Sequence, residues 1–101
     1  MTITKIQEDS RLTLRLTGWL DTTTVAELAA EVDSIENADA IVFDFSELEY
    51  ISSAGLRQVA ATSKKAKALN ADFSIVGAGK DVMAVFKLTG LDRKFSVTPK
   101  E

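Results

Sequence analysis

The hydrophobic and polar positions change period along the chain, and each change marks an element. From Arg11 to Thr17 the order Arg-Leu-Thr-Leu-Arg-Leu-Thr alternates strictly. That spacing puts Leu12, Leu14 and Leu16 on one face of a half-buried strand and leaves arginine and threonine to meet water on the other. Residues 3 to 8 are less regular, with Ile3 and Ile6 three apart; they predict a weaker first strand, joined to the second by a polar turn over Glu8 to Ser10 as in a hairpin. Ala40-Ile41-Val42-Phe43 is an unbroken apolar run and predicts a strand buried on both faces. Asp72 to Gly77 predicts a fourth strand, and Phe95-Ser96-Val97 a short fifth ended by Pro99.

Helical spacing fills the intervals. Gly18 to Thr24 breaks the alternation and leads into a helix in which Val25, Leu28, Ala29, Val32 and Ile35 face inward and Glu27, Glu31 and Ser34 outward, an amphipathic segment of roughly three to four turns. Thr24 with Glu27 fits a capping box, and Asp21 can accept from free N–H groups near the helix start. A second helix runs from Gly55 to Leu69, with Gly55, Leu56, Val59, Ala60, Thr62, Ser63, Ala66 and Leu69 inward and Arg57, Gln58, Ala61, Lys64 and Lys65 outward. Its many small inward residues let it lie close to a sheet, Asn70 is its expected end, and the late lysines suit the negative end of the helix dipole. Asp81 opens a third helix with Val82, Val85 and Phe86 on one face, and Gly90 closes it as a left-handed residue. Gly77-Ala78-Gly79 lacks the further glycine and lysine of the nucleotide fingerprints and reads as a simple turn.

The resulting order is β-β-α-β-α-β-α-β. Right-handed crossovers then make strands three, four and five parallel, so the fold class is α/β with a mixed sheet. The solvated face of the second strand places the helices mainly on one side. No repeat, linker or low-complexity segment divides the chain, and 101 residues form one domain, residues 1–101, with a single modest core.

Composition narrows the function more than the fold. With 46% hydrophobic and 27% charged residues the chain has the balance of a soluble globular protein. No apolar run approaches the roughly 20 residues of a membrane span. The amino terminus shows no signal pattern and cysteine is absent, so the cytoplasm is the expected compartment. The net charge of −3 and a single short basic cluster, Lys64, Lys65 and Lys67, argue against direct nucleic-acid binding. The lack of histidine removes Ser-His-Asp triads, imidazole bases and histidine metal ligands. No cofactor or metal is indicated. Trp19 is either core or rim packing or a partner contact, since a tryptophan in a loop suits both.

The remaining chemistry lies at Ser52 and Ser53, between the central strand and the second helix, where a helix leaves its first N–H groups unpaired. A hydroxyl there either caps the helix or carries chemistry. As a nucleophile, Ser53 would need a lysine or carboxylate base, and neither is adjacent in sequence; the chain is not expected to be an enzyme. Arg57, on the first helical turn, is either a partner contact or a solvated residue.

With these flanks the chain resembles a STAS domain, the module shared by anti-sigma factor antagonists and the cytoplasmic tails of sulfate transporters. Leu16-Thr17-Gly18-Trp19-Leu20-Asp21 resembles the family's segment between the second strand and first helix. Asp44-Phe45-Ser46 through Ile51-Ser52-Ser53-Ala54-Gly55-Leu56-Arg57 resembles its signature turn, and Val85-Phe86-Lys87-Leu88-Thr89-Gly90-Leu91 its third helix and closing glycine. The resemblance implies that Ser53 is phosphorylated by a partner, an anti-sigma factor that is also a serine kinase. It further implies that the unmodified form binds this kinase and frees the sigma factor, that phosphate breaks the complex, and that a metal-dependent serine phosphatase resets it. Asp21 lines the same region, so the expected partner-binding set is Asp21, Ser52, Ser53, Ala54, Gly55 and Arg57, with Asp44, Glu47 and Glu49 as further carboxylates near a phosphate. Many antagonists carry an aspartate where this chain has Ser52, which leaves Ser52 as a minor alternative acceptor. The chain stops directly after the fifth strand, so the carboxy-terminal helix that often closes the domain is missing from this sequence. The rival implication is a STAS domain without a phospho-switch, acting as a scaffold or as the small subunit of a transporter or signalling assembly.

Overall fold

A computed structural model describes residues 1–101. Five strands, β1 (Thr2–Glu8), β2 (Arg11–Leu20), β3 (Ala40–Ile51), β4 (Asp72–Ala78) and β5 (Ser96–Pro99), alternate after the first hairpin with helices α1 (Val25–Asp33), α2 (Ser53–Ala68), α3 (Lys80–Thr89) and the short α4 (Leu91–Lys94). The strands lie in sequence order, β1-β2-β3-β4-β5. Only β1–β2 is antiparallel; β2–β3, β3–β4 and β4–β5 are parallel, as helical crossovers require.

The alternating leucines do what their spacing predicts. Leu12, Leu14 and Leu16 are buried, together with Leu20, against Leu28 and Val32 of α1, Val59 of α2, and Val82 and Phe86 of α3. All three main helices therefore cover one face of the sheet. Thr13, Arg15 and Thr17 on the other face are half-buried rather than fully solvated, because side chains of neighbouring strands crowd them. Val42, only 3% exposed, lies on that uncovered face between Thr13 and Ser74.

The structure departs from the sequence pattern where the backbone bends. Strand β2 does not stop at Thr17: Gly18 adopts φ +102, the register slips there, and the strand resumes through Trp19 and Leu20. The extra residue at the slip, Glu49, belongs to β3; β2 keeps its alternation to the buried Leu20, and a glycine at the inward position hides that from a count of apolar side chains. Strand β3 likewise continues through Asp44 to Ile51, so the segment read as a turn narrows to Ser52. The expected turn at Gly77-Ala78-Gly79 is also smaller, since Gly77 and Ala78 end β4 and Gly79 caps α3. Helix α1 ends at Asp33, and Ile35 is buried just beyond it. Asn70 and Gly90 end α2 and α3 in left-handed conformations, φ 58 and 76, as anticipated. The turn of α4 after Gly90 had no signal in so short a segment.

Candidate functional site

The carboxyl ends of β2 and β3 meet the amino end of α2, and the residues singled out from sequence gather there. The Ser52 N–H donates to the Leu20 carbonyl at 2.9 Å. This bond ties the residue before Asp21 to the residue before Ser53, though the two are far apart in the chain.

Ser52 is the helix cap. Its backbone is extended, φ −93 and ψ 174, and its hydroxyl accepts the Gly55 N–H at 3.3 Å. Ser53 is the first residue of α2 and is exposed. The two hydroxyls thus divide the alternatives that sequence left open: one satisfies an orphan helix donor and the other faces solvent. Arg57 is exposed one turn further on.

Ala54 and Gly55, expected in the partner-binding set, are buried in the free chain. Gly55 is there because nothing larger fits. A Cβ on it would lie 2.8 Å from Ile51 Cγ1, 2.9 Å from Leu20 Cγ and 3.0 Å from the Leu20 carbonyl oxygen. The glycine lets the helix start come down onto the strand ends, and Ser53 is carried to the rim by that contact.

Asp21 opens the turn before α1. Its carboxylate accepts the Thr23 hydroxyl at 2.7 Å and the Thr23 N–H at 2.9 Å; these bonds, with a further one from Thr24, hold it below the usual carboxylate range. The expected capping box at Thr24 and Glu27 does not form. Thr24 has helical backbone angles and its hydroxyl turns instead to the Trp19 carbonyl at 2.8 Å. Asp21 and Thr24 therefore brace the β2 end rather than capping α1.

Of the other carboxylates, Asp44 does not join the site. It sits well back along β3 on the uncovered face, 3.0 Å from Arg15 Nε. Burial opposes its ionisation, but the Ser46 N–H and hydroxyl and the Arg15 guanidinium outweigh that and lower its pKa. Glu47 is exposed and accepts the Thr17 hydroxyl at 2.9 Å. Glu49 lines a small depression of about 90 Å³ between β3 and α3, with Tyr50, Asp81, Val82 and Val85.

Sequence reasoning missed Tyr50. It pairs with Trp19 across β2 and β3, ring centroids 5.3 Å apart, and both rings are exposed. An aromatic beside the serine turn was the available signal, but its strand register was needed to join it to Trp19. No group of three or more acidic, cysteine or histidine side chains is arranged to hold a metal ion, and no helix is long and apolar enough to cross a membrane.

A mixed sheet covered by helices on one face, with an exposed hydroxyl at the mouth of the helix after the central strand, defines the class. The chain belongs to the STAS domain family, whose model matches residues 2–101. It is 31% identical over 97 residues to the anti-sigma-F factor antagonist RsfB of Mycobacterium tuberculosis, spanning 94% of this chain and 79% of that protein. Its fold is similar to the crystal structure of an anti-sigma factor antagonist from Mycobacterium paratuberculosis, with a TM-score of 0.87, 28% identity and coverage of 97% of this chain and 85% of that one. The Bacillus cell fate determinant SpoIIAA in its phosphorylated form shares the fold at a TM-score of 0.75 and 18% identity, over 95% and 90% of the two chains.

Proposed function

We propose that this chain is an anti-sigma factor antagonist whose docking to an anti-sigma factor serine kinase is switched by phosphorylation of Ser53. The observation that carries the reading is the division between Ser52, which holds the helix cap, and Ser53, which stands exposed on the next residue. A kinase can reach the second hydroxyl without disturbing the first. The relatives' names as anti-sigma factor antagonists support the general role.

Phosphate adds about −1.5 to −2 charges at neutral pH. At a helix amino terminus this is favourable by roughly 0.3–2 kcal/mol, so the fold accommodates it. In a docked complex the same dianion must lose water beside the ionised Asp21. Moving a complex from 99:1 bound to 1:99 takes about 5.5 kcal/mol, within reach of burying an unpaired charge. In this reading the chain is the substrate of its kinase and of a serine phosphatase, works in the cytoplasm, needs no cofactor and contacts no nucleic acid itself.

The test is incubation with ATP and each anti-sigma-type serine kinase encoded in the same genome, read by intact mass and peptide mapping. One phosphate on Ser53, none in Ser53→Ala, and loss of kinase binding in Ser53→Asp are expected. If Ser53→Asp binds as tightly as the parent, or no such kinase modifies the chain, the phospho-switch is wrong and a non-switching scaffold takes its place.

A further inference from the structure

Trp19 is 56% exposed and Tyr50 46%, in a chain with core enough to hide them. Leu20 and Ile51, the next residues along, are buried. Alternation therefore turns the two rings to the sheet face that no helix covers. They are in register on β2 and β3, with planes tilted by 47°. Rings held this way lose little side-chain freedom on binding, and Trp and Tyr are the residues on which interface energy concentrates.

What surrounds them is mostly acidic, the one cation recorded beside Glu47 being Lys100, whose ammonium is taken up by the Ser46 carbonyl at 2.9 Å. Glu47 lies on the same face two register pairs away, fixed by Thr17 at 2.9 Å. Asp21 lies beyond the other end of the pair: the Thr24 hydroxyl bridges the Trp19 carbonyl at 2.8 Å and the Asp21 carboxylate at 3.3 Å. Arg15, the nearest cation along this face of β2, is already engaged by Asp44. An anionic occupant, whether nucleic acid or lipid headgroup, would be repelled. An aromatic pair between two carboxylates suits a cation, whose charge is attracted to the ring faces and paired at the rim.

We propose that Trp19 and Tyr50, flanked by Glu47 and Asp21, seat an arginine or lysine side chain of the protein that docks at this end of the sheet. The inference rests on the reading that a partner docks near Ser53, and names what that partner must present. Seat and switch are neighbours, joined through the Ser52–Leu20 bond, yet not one contact. The seat lies on the uncovered face, whereas Ser53 opens a helix of the covered face.

Trp19 is the only tryptophan, so its emission reports the seat directly. Titration of the full chain with a hexa-arginine peptide is expected to quench and shift that emission, and hexa-glutamate to leave it unchanged. Tyr50→Ala and Glu47→Gln should each raise the half-saturating concentration about threefold to tenfold. Against the anti-sigma factor that modifies Ser53, Trp19→Ala and Tyr50→Ala should weaken the complex about tenfold or more at unchanged thermal stability. An absent emission response, or a complex indifferent to both variants, overturns the seat while leaving Ser53 phosphorylation standing. Self-association by sedimentation that vanishes in Trp19→Ala overturns it in favour of a second copy of this chain. A hexa-arginine response lost in Tyr50→Ala, with no kinase acting on Ser53, supports the cation seat and removes the phospho-switch.

Discussion

Replacing Gly55 by alanine would put a methyl group where the fold leaves no room, and its cost can be worked from three contacts. The added carbon would meet Ile51 Cγ1 at 2.8 Å, Leu20 Cγ at 2.9 Å and the Leu20 carbonyl oxygen at 3.0 Å, against an ordinary contact of 3.4–4 Å. Neither side chain can swing aside into water, since Leu20 is 0% and Ile51 3% exposed. The carbonyl is held by the Ser52 N–H at 2.9 Å. Relief must therefore come from lifting the first turn of α2 off the sheet. Overpacking of this kind costs about 1–3 kcal/mol, while alanine returns up to about 1 kcal/mol of helix propensity. With two contacts under 3.0 Å the overpacking falls in the upper part of that range, about 2–3 kcal/mol, and the net loss is about 1–2 kcal/mol.

In a domain of this size, 1 kcal/mol moves the melting temperature by about 4–8 °C, so Gly55→Ala should melt roughly 5–15 °C lower. Thermal unfolding followed by circular dichroism, with urea midpoints at constant m-value, measures it. The lifted turn should also slow phosphate transfer to Ser53, because the rim moves with the helix. An alanine variant as stable as the parent would refute the close approach of α2 to β2, and with it the reason Ser53 stands where it does.

Ser52→Ala removes the cap bond to Gly55 and should cost about 1 kcal/mol, a melting shift of several degrees, yet still accept phosphate at Ser53 by peptide mapping; loss of modification in this variant alone would reverse the roles of the two serines. Asp44 has a folded pKa below its ordinary 3.8, so the unfolded chain takes up its proton first. Its contribution is present above about pH 4 and lost as the pH falls through the folded value. Asp44→Asn should therefore flatten the fall of melting temperature with acidity below about pH 4, and an unchanged slope would show that other carboxylates govern it. Gly77→Ala forces a left-handed residue, φ +72, with its Cβ 3.1 Å from Ser46 Cβ and 3.3 Å from Asp44 Oδ1. It should cost more than Gly90→Ala, where φ is +76 but no neighbour lies within 4 Å, as paired urea unfolding would show.

The elements legible in the sequence were those whose signal is local. Leu12, Leu14 and Leu16 fix β2 by alternation, the inward small residues of α2 fix its face, and Asn70 and Gly90 mark helix ends by chemistry that acts within one turn. What escaped depends on distant partners. Thr24 and Glu27 have the spacing of a capping box, but the Thr24 hydroxyl instead accepts the Asp21 N–H at 3.0 Å and donates to the Trp19 carbonyl. Ala54 and Gly55 follow Ser53 in sequence yet are buried, and a Cβ on Gly55 would meet Leu20 and Ile51. Asp44 is near the two serines in sequence, but β3 continues to Ile51, so residues well back along it are carried away from the turn. The Trp19–Tyr50 pair needs the register of two strands, which no single-strand pattern contains.

On the proposed phosphorylation of Ser53, the separation of cap from acceptor would let one turn hold both stability and a switch. Were Ser53 the cap, phosphate would displace the bond to a helix N–H, and modification would weaken the fold by about the 1 kcal/mol that a cap contributes. With Ser52 keeping that bond, a phosphate on Ser53 only adds charge at the positive end of a 16-residue helix. Modification then alters which surface the chain presents and leaves the folded state intact. The phosphorylated protein should melt at the same temperature as the unmodified one or up to several degrees higher, and added salt should shrink any gain by screening. Calorimetry of the two forms at low and moderate ionic strength measures this. A phosphorylated form melting several degrees lower would mean that the switch acts by loosening α2, and the electrostatic account of partner release would fall with it.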